Sequence, residues 1–162
     1  MEVIKAPHKI PENSKPKIFL AGSIEMGVAE DWQTKVSEML EDEDVILLNP
    51  RRDAWNSTWE QTKENPDFKE QVEWELNSLT VSDYIIMYFD PKTKSPISLL
   101  ETGLFAHDGK LLIVCPSGFW RKGNVDIVSE KYNIPQFENL EKLVEYLIPL
   151  ILNYKKKKKK CF

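Results

Sequence analysis

Apolar residues in this chain fall into short blocks that alternate between two periods. Lys17-Ile18-Phe19-Leu20-Ala21 is an apolar run closed by Gly22-Ser23, the pattern of a strand buried on both faces that ends in a tight turn. From Ala29 to Glu41, Trp32, Val36, Met39 and Leu40 recur at helical spacing, and Glu30 and Asp31 stand at the start, where the helix dipole favours negative charge. Val45 to Asn49 reads as a second buried strand, stopped by Pro50, which cannot continue a ladder. An irregular stretch runs from Arg51 to Pro66, and loops of that length are usually functional or disordered. Helical period returns from Phe68 to Leu79, and Asp83 to Phe89 makes a third strand. Ser95-Pro96 opens a further helix through Leu99, Leu100, Gly103 and Leu104, with proline in the favoured first turn. Leu111 to Cys115 is a fourth strand halted by Pro116, Pro135 to Phe137 has room for a very short fifth, and Asn139 to Leu152 is an amphipathic helix.

Alternation of strand and helix predicts a single α/β domain, a doubly wound parallel sheet of four to five strands with helices on both faces. The expected architecture is flavodoxin-like (Rossmann-like), with strand order 2-1-3-4-5 counted from the strand at Lys17. Residues 1–16, with Pro7, Pro11 and Pro16 among polar neighbours, are expected to form an extended or disordered arm. Residues 17–152 are the domain, and 153–162 a lysine-rich disordered tail.

Charge sharpens this picture. Lys155 to Lys160 carry six positive charges, and removing them from the net charge of −4 leaves the body at −10. An acidic body without a basic patch interleaved with aromatics argues against a nucleic-acid polymer as partner, so a small molecule is expected. No apolar run reaches the roughly 18 residues of a membrane span, and the first 17 residues lack a signal-like apolar stretch, which points to a cytoplasmic protein without membrane attachment. Cys115 and Cys161 fit no disulfide or zinc spacing and read as free thiols.

In a parallel sheet the loops that follow the strands gather at one edge, where ligands bind. Polar residues concentrate in those loops. Gly22, Ser23 and Ile24 follow the first strand, Asn49 and Arg51 the second, Asp90 the third, and Trp120 and Asn124 the fourth. Gly22-Ser23 suits close approach of a phosphate or sugar to backbone N–H groups, though the glycine spacing of a dinucleotide fingerprint is absent. Ser23, Ser95 and Ser98 offer hydroxyls, while Trp55, Trp59 and Trp120, with Phe119, offer faces for stacking on a base. Arg51 and Arg52 can hold a phosphate or stand as solvated charges. Trp32 and Trp74, at helical positions, are expected in the core, and His107 beside Asp108 as a dipole partner at a helix end.

Two carboxylates stand out. Glu101 lies in an apolar stretch near the start of its helix, and Glu75 lies beside Trp74 and Leu76 on the preceding one. A paired arrangement of this kind serves glycosidic chemistry, where one carboxylate captures an oxocarbenium-like carbon and the second handles the proton of the leaving group. The bland alternative is a structural cap or ion pair.

Several motifs together resemble the nucleoside 2-deoxyribosyltransferases and the related deoxynucleoside monophosphate N-glycosidases, over roughly Lys17 to Leu152. They are Phe19-Leu20-Ala21-Gly22-Ser23-Ile24, Glu75 leading eight residues later into Ser82-Asp83, and Glu101-Thr102-Gly103 followed by Ala106 and Gly109-Lys110. The resemblance implies that Glu101 is the nucleophile, that Glu75 assists protonation of the leaving base, and that no metal or organic cofactor takes part. It also implies a homodimer or higher homo-oligomer with shared sites, to which Asn124 is the candidate contributor. Substrates would be a nucleoside, a nucleotide or a free base. Six residues before the nucleophile the transferases carry aspartate and the monophosphate glycosidases serine, and this chain has Ser95. It also has Glu75 where the familiar enzymes have aspartate, so transferase and hydrolase both remain open. A non-catalytic nucleotide-binding module and an enzyme cleaving NAD or another ribonucleotide are the competing readings.

Overall fold

The computed structural model describes residues 1–24 and 29–159. Its elements run β1 (Glu2–Lys5), β2 (Lys17–Gly22), α1 (Trp32–Met39), β3 (Ile46–Asn49), α2 (Pro66–Val81), β4 (Tyr84–Tyr88), α3 (Pro96–Phe105), β5 (Leu111–Val114), α4 (Lys122–Tyr132), β6 (Gln136–Phe137) and α5 (Leu140–Lys159). The strands form one sheet in the order β1-β3-β2-β4-β5-β6, and every pairing is parallel. The flavodoxin-like α/β architecture is therefore as expected, with five strands in the anticipated sequence and a sixth added at one edge.

That sixth strand is the first correction. Glu2–Lys5 belongs to the segment expected to be an arm, yet it pairs along its whole length with β3, from Glu2 opposite Ile46 to Lys5 opposite Asn49. Its partner lies over forty residues away in the chain, so local composition gives no sign of it. The second difference is at the other end, where α5 continues through Lys159 although the lysine-rich segment was expected to be disordered. Lysine is a good helix former, and the turns before it are anchored by the buried Leu147 and Ile151. Helix α4 was not anticipated either, because only Val125 and Ser129 of its eleven residues are buried.

Successive strand residues point to opposite faces, and the packing follows that alternation. Phe19, Ala21, Ile46, Leu48, Ile85, Met87, Leu111 and Ile113 pack on one face with Trp74, Leu79, Ala106 and Val125 from α2, α4 and the end of α3. Ile18, Leu20, Leu47, Ile86, Leu112 and Val114 pack on the other with Trp32 and Val36 of α1 and Leu143, Leu147 and Ile151 of α5. Both tryptophans expected in the core are there. Caps fix where the helices nearest the site begin. Asp31 accepts from Thr34 N at the head of α1, and Asn65 accepts from Asp67 N and Phe68 N at the head of α2, with Pro66 in its first turn. No helix among the described residues is long and apolar enough to cross a membrane.

Candidate functional site

Strand β2 meets β4 so closely at its end that only glycine fits. A Cβ on Gly22 would lie 2.2 Å from the Tyr88 carbonyl oxygen, and Gly22 sits at φ 134°. This approach lets Ser23 N donate to Tyr88 O at 2.8 Å, and it sets the Ser23 side chain inside the molecule. Ser23 Oγ then becomes a hub, accepting from Asp90 N at 2.8 Å and Thr93 Oγ1 at 2.9 Å and lying 2.5 Å from Ser95 Oγ. Thr93 Oγ1 and Ser95 Oγ are 2.7 Å apart. Ser95 caps α3 in the left-handed region at φ 44°, a conformation that a non-glycine residue adopts only when its surroundings hold it there.

Ser95 opens the helix that carries Glu101, and Glu75 stands on the helix before it. Glu101 is buried on α3, one turn beyond the buried Ser98, whose carbonyl is occupied by Thr102 Oγ1 at 2.7 Å. Burial, with the negative charge of Glu75 added to it, pushes the Glu101 carboxyl up to about 8. Burial likewise pushes Glu75 up, but there a hydrogen bond from Gln71 Nε2 at 2.8 Å opposes the rise. Both carboxyl groups, one on α2 and one on α3, are thus made costly to ionise by poor solvation, and the charge of one raises the other. A group that is costly to ionise and is kept buried all the same marks a candidate for proton transfer or nucleophilic attack.

The remaining candidates separate into three places. Asn49, Arg51 and Asp90 lie at the same sheet edge, held in a polar web. Asn49 Oδ1 accepts from Arg51 N at 2.9 Å, Arg51 Nε donates to Gln33 Oε1 at 2.8 Å and Arg51 Nη2 to Glu30 O at 3.1 Å, and Asp90 Oδ2 accepts from Glu30 N at 3.2 Å. Arg51 is engaged with protein groups on several sides. Ile24 is half-buried at the last described position of its loop, and the Glu25 to Gly27 part of that loop lies outside the described residues.

Trp55 and Trp59 pack edge to face at 5.1 Å, with the Arg52 guanidinium 5.1 Å above the Trp59 ring. They form a small aromatic group in the long loop, with Trp55 exposed. Trp120 is also exposed, anchored by its Nε1 donating to Lys94 O at 2.9 Å and covered on one face by Arg121. Asn124 lies apart from these. It lines a cavity of about 310 Å³ between α3 and α4, together with Leu99, Thr102, Gly103 and Val128. A Cβ on Gly103 would meet nothing within 4 Å, so the missing side chain helps to open that space.

Sequence reasoning missed three contributors. Thr93 completes the hydroxyl cluster, Gln71 holds Glu75, and Glu30 accepts from Tyr88 Oη at 3.0 Å. Gln71 had a legible signal, since it precedes Glu75 by four residues on one helix and shares its face. Thr93 had none. Among the described residues no group of three or more His, Cys, Asp or Glu side chains is arranged to hold a metal ion.

No curated protein matches the chain. A family model described as nucleoside 2-deoxyribosyltransferase like does match, over residues 15–119, and that span takes in Gly22 and Ser23, both carboxylates and the whole of α3. It covers well over half of the 162 residues, and so this chain belongs to the nucleoside 2-deoxyribosyltransferase-like family.

Proposed function

We propose that the protein cleaves or exchanges the N-glycosidic bond of 2′-deoxynucleosides or their nucleotides through a covalent intermediate on Glu101. The observation that carries this reading is the pairing of buried Glu101 on α3 with half-buried Glu75 on α2, whose negative charge adds to the rise of the Glu101 carboxyl. In the reacting state the pair holds one proton, with Glu101 ionised and Glu75 neutral. A Glu101 oxygen attacks C1′ as the C1′–N bond breaks, the bonding electrons pass to the base nitrogen, and the Glu75 proton follows them. The deoxyribosyl ester that results is then attacked from the vacated face by a ring nitrogen of a second base, which passes its proton to Glu75 as the C1′–O bond breaks, restoring the Glu101 carboxylate with net retention. Exclusion of water favours this exchange, since a charge in a poorly solvated space reacts without first shedding its hydration.

Deoxyribosyl transfer is the primary reading. The specific alternative is hydrolysis of a deoxynucleoside 5′-monophosphate, favoured by Ser95, where the glycosidases carry serine and the transferases aspartate. In that case water takes the place of the second base and delivers its proton to Glu75. The ligand contacts assigned to Ser23, Asn49, Asp90 and Ser98, and base stacking by Trp55, Trp59 or Trp120, belong to this proposal too.

Assembly into a homo-oligomer is a further part of it. Ile97, Leu100 and Leu104 recur at i, i+3 and i+7 on α3, each more than half exposed at 58%, 59% and 55%. An apolar stripe on the helix that carries the nucleophile suits burial against a second copy, beside the cavity that Asn124 lines.

A chromatographic assay tests the reading. The protein and its Glu101→Ala variant are incubated with deoxynucleosides and with their 5′-monophosphates, each with and without a second free base. Base release or a new nucleoside from the unaltered protein alone is the expected result, and acceptor dependence names transferase or hydrolase. Absence of turnover by the folded protein with every substrate would overturn the reading in favour of a ligand-binding module.

A further inference from the structure

Pro50 ends β3, and its carbonyl receives a hydrogen bond from Gln71 Nε2 at 2.9 Å. The same nitrogen donates to Glu75 Oε1 at 2.8 Å, one helical turn along α2. Gln71 is buried to 4% exposure, so water does not compete for either bond. An amide nitrogen carries two protons, whereas the amide oxygen and a backbone carbonyl carry none. The Pro50 carbonyl therefore fixes the orientation of this amide, because turning it over would set two acceptors against each other. Gln71 Oε1 is left buried with no hydrogen-bond partner, which shows that the two donor contacts, and not the oxygen, determine how the side chain lies.

We propose that Gln71 is the positioning residue of the carboxyl pair: its clamped amide makes Glu75 Oε1 an obligatory acceptor, keeping Glu75 the carboxylate of the resting protein and leaving the shared proton on Glu101. The catalytic consequence rests on the reading of the pair given above. Both groups are pushed up by burial, yet the Gln71 bond counters the rise at Glu75 alone, and the charge so retained on Glu75 adds to the rise at Glu101. Among the described residues, the charge of Glu75 acts on Glu101 of α3, and Glu70, one residue before Gln71 on α2, is paired with Arg52 of the loop after β3 at 2.9 Å.

A defined proton path follows. Glu101 must lose its proton before it attacks, and with Oε1 committed as acceptor the free oxygen of Glu75 is Oε2. One proton moves from Glu101 to Glu75 Oε2 and then to the departing nitrogen, as one C–N bond breaks and one C–O bond forms. Gln71 therefore selects the oxygen from which the acid acts.

The test uses Gln71→Met, which keeps the length of the side chain and removes the donor. Without that donor Glu75 takes up the proton more readily, so Glu101 ionises earlier. The acid limb of kcat/KM, where the doubly protonated pair loses its first proton, should move to higher pH by about one unit, and with the Glu75 carboxyl free to turn kcat should fall more than KM changes. A readout independent of activity is carbon-13 NMR of carboxyl-labelled glutamate, with the two resonances assigned through Glu75→Gln and Glu101→Gln. In the unaltered protein Glu75 should ionise before Glu101, and in Gln71→Met the two should draw together. Gln71→Leu is read in the same way should the methionine variant not fold. Titration curves unmoved in a folded variant, or Glu101 ionising first in the unaltered protein, would overturn the proposal. The expected titration order in a protein that turns over no nucleoside would support the Gln71 assignment while sinking the catalytic reading.

Discussion

Ser23, Thr93 and Ser95 on one side, and half-buried Glu75 with buried Glu101 on the other, treat polarity in opposite ways. Ser23 and Thr93 each bond to the other two hydroxyls and to the Asp90 backbone, and Ser95 Oγ lies within hydrogen-bond distance of both, so the cluster is neutral and its hydroxyls are mutually engaged. The carboxyl pair has one donor on Glu75, from Gln71, and two groups that repel each other when both are ionised. The first region is built like a joint of the fold, and the second holds two acidic groups that poor solvation makes costly to ionise.

Four substitutions or conditions test that contrast. Glu101→Gln should reduce turnover by about 10⁴-fold or more while leaving the fold intact, read by base release alongside circular dichroism. Retained activity would remove Glu101 as nucleophile. Next in size is the effect of pH on stability. In the folded chain Glu101 keeps its proton to about 8, whereas unfolded it ionises near 4.5, so across that window the folded state binds the extra proton. The contribution of Glu101 is therefore most favourable at the acid end and is lost as pH rises toward 8. Urea midpoints of the native protein relative to Glu101→Gln should fall across the window, and parallel curves would contradict the burial argument.

Gly22→Ala attacks the joint instead. Its Cβ would stand 2.2 Å from a backbone carbonyl in the strand beside it, at a φ that side chains avoid, and the expected loss is about 3 kcal/mol in urea unfolding. A smaller loss would mean that β2 and β4 can part without penalty. Ser23→Ala should have the mildest effect, about 1–2 kcal/mol from the Asp90 N–H and the hydroxyls left short of a partner, with the chemical step slowed less than by any carboxyl substitution. A loss of turnover comparable to that of Glu101→Gln would move Ser23 from the joint into the chemistry.

The sequence made most of the fold legible because buried strands of a parallel sheet are continuous apolar runs. Ile18 to Ala21, Val45 to Leu48, Ile85 to Phe89 and Leu111 to Cys115 announce themselves in this way. Strand β1 escaped because Glu2 and Val3 are exposed at the sheet margin, and its pairing with β3 is a distant contact that no local pattern encodes. Helix α4 escaped for a related reason, as its apolar Ile127 faces outward at 69% exposure and its buried face is narrow. Within the site, Glu101 was conspicuous as a charge among leucines. The Gln71 amide was not, because its role depends on the Pro50 carbonyl, whose direction is set only by the fold. Asn124 was named as a possible contributor through a neighbouring copy, and it lies at the cavity between α3 and α4, away from the hydroxyl cluster.

Tyr84, the first residue of β4, donates through its hydroxyl to Leu150 O at 3.4 Å, which locates the later turns of α5 at the margin where the strands begin. The hydroxyl cluster lies at the opposite margin, beyond where β2 and β4 end. For anyone immobilising this protein on a bead or an electrode, linkage through the exposed Lys156 near the end of α5 would turn the hydroxyl-cluster edge toward the bulk solution instead of the support.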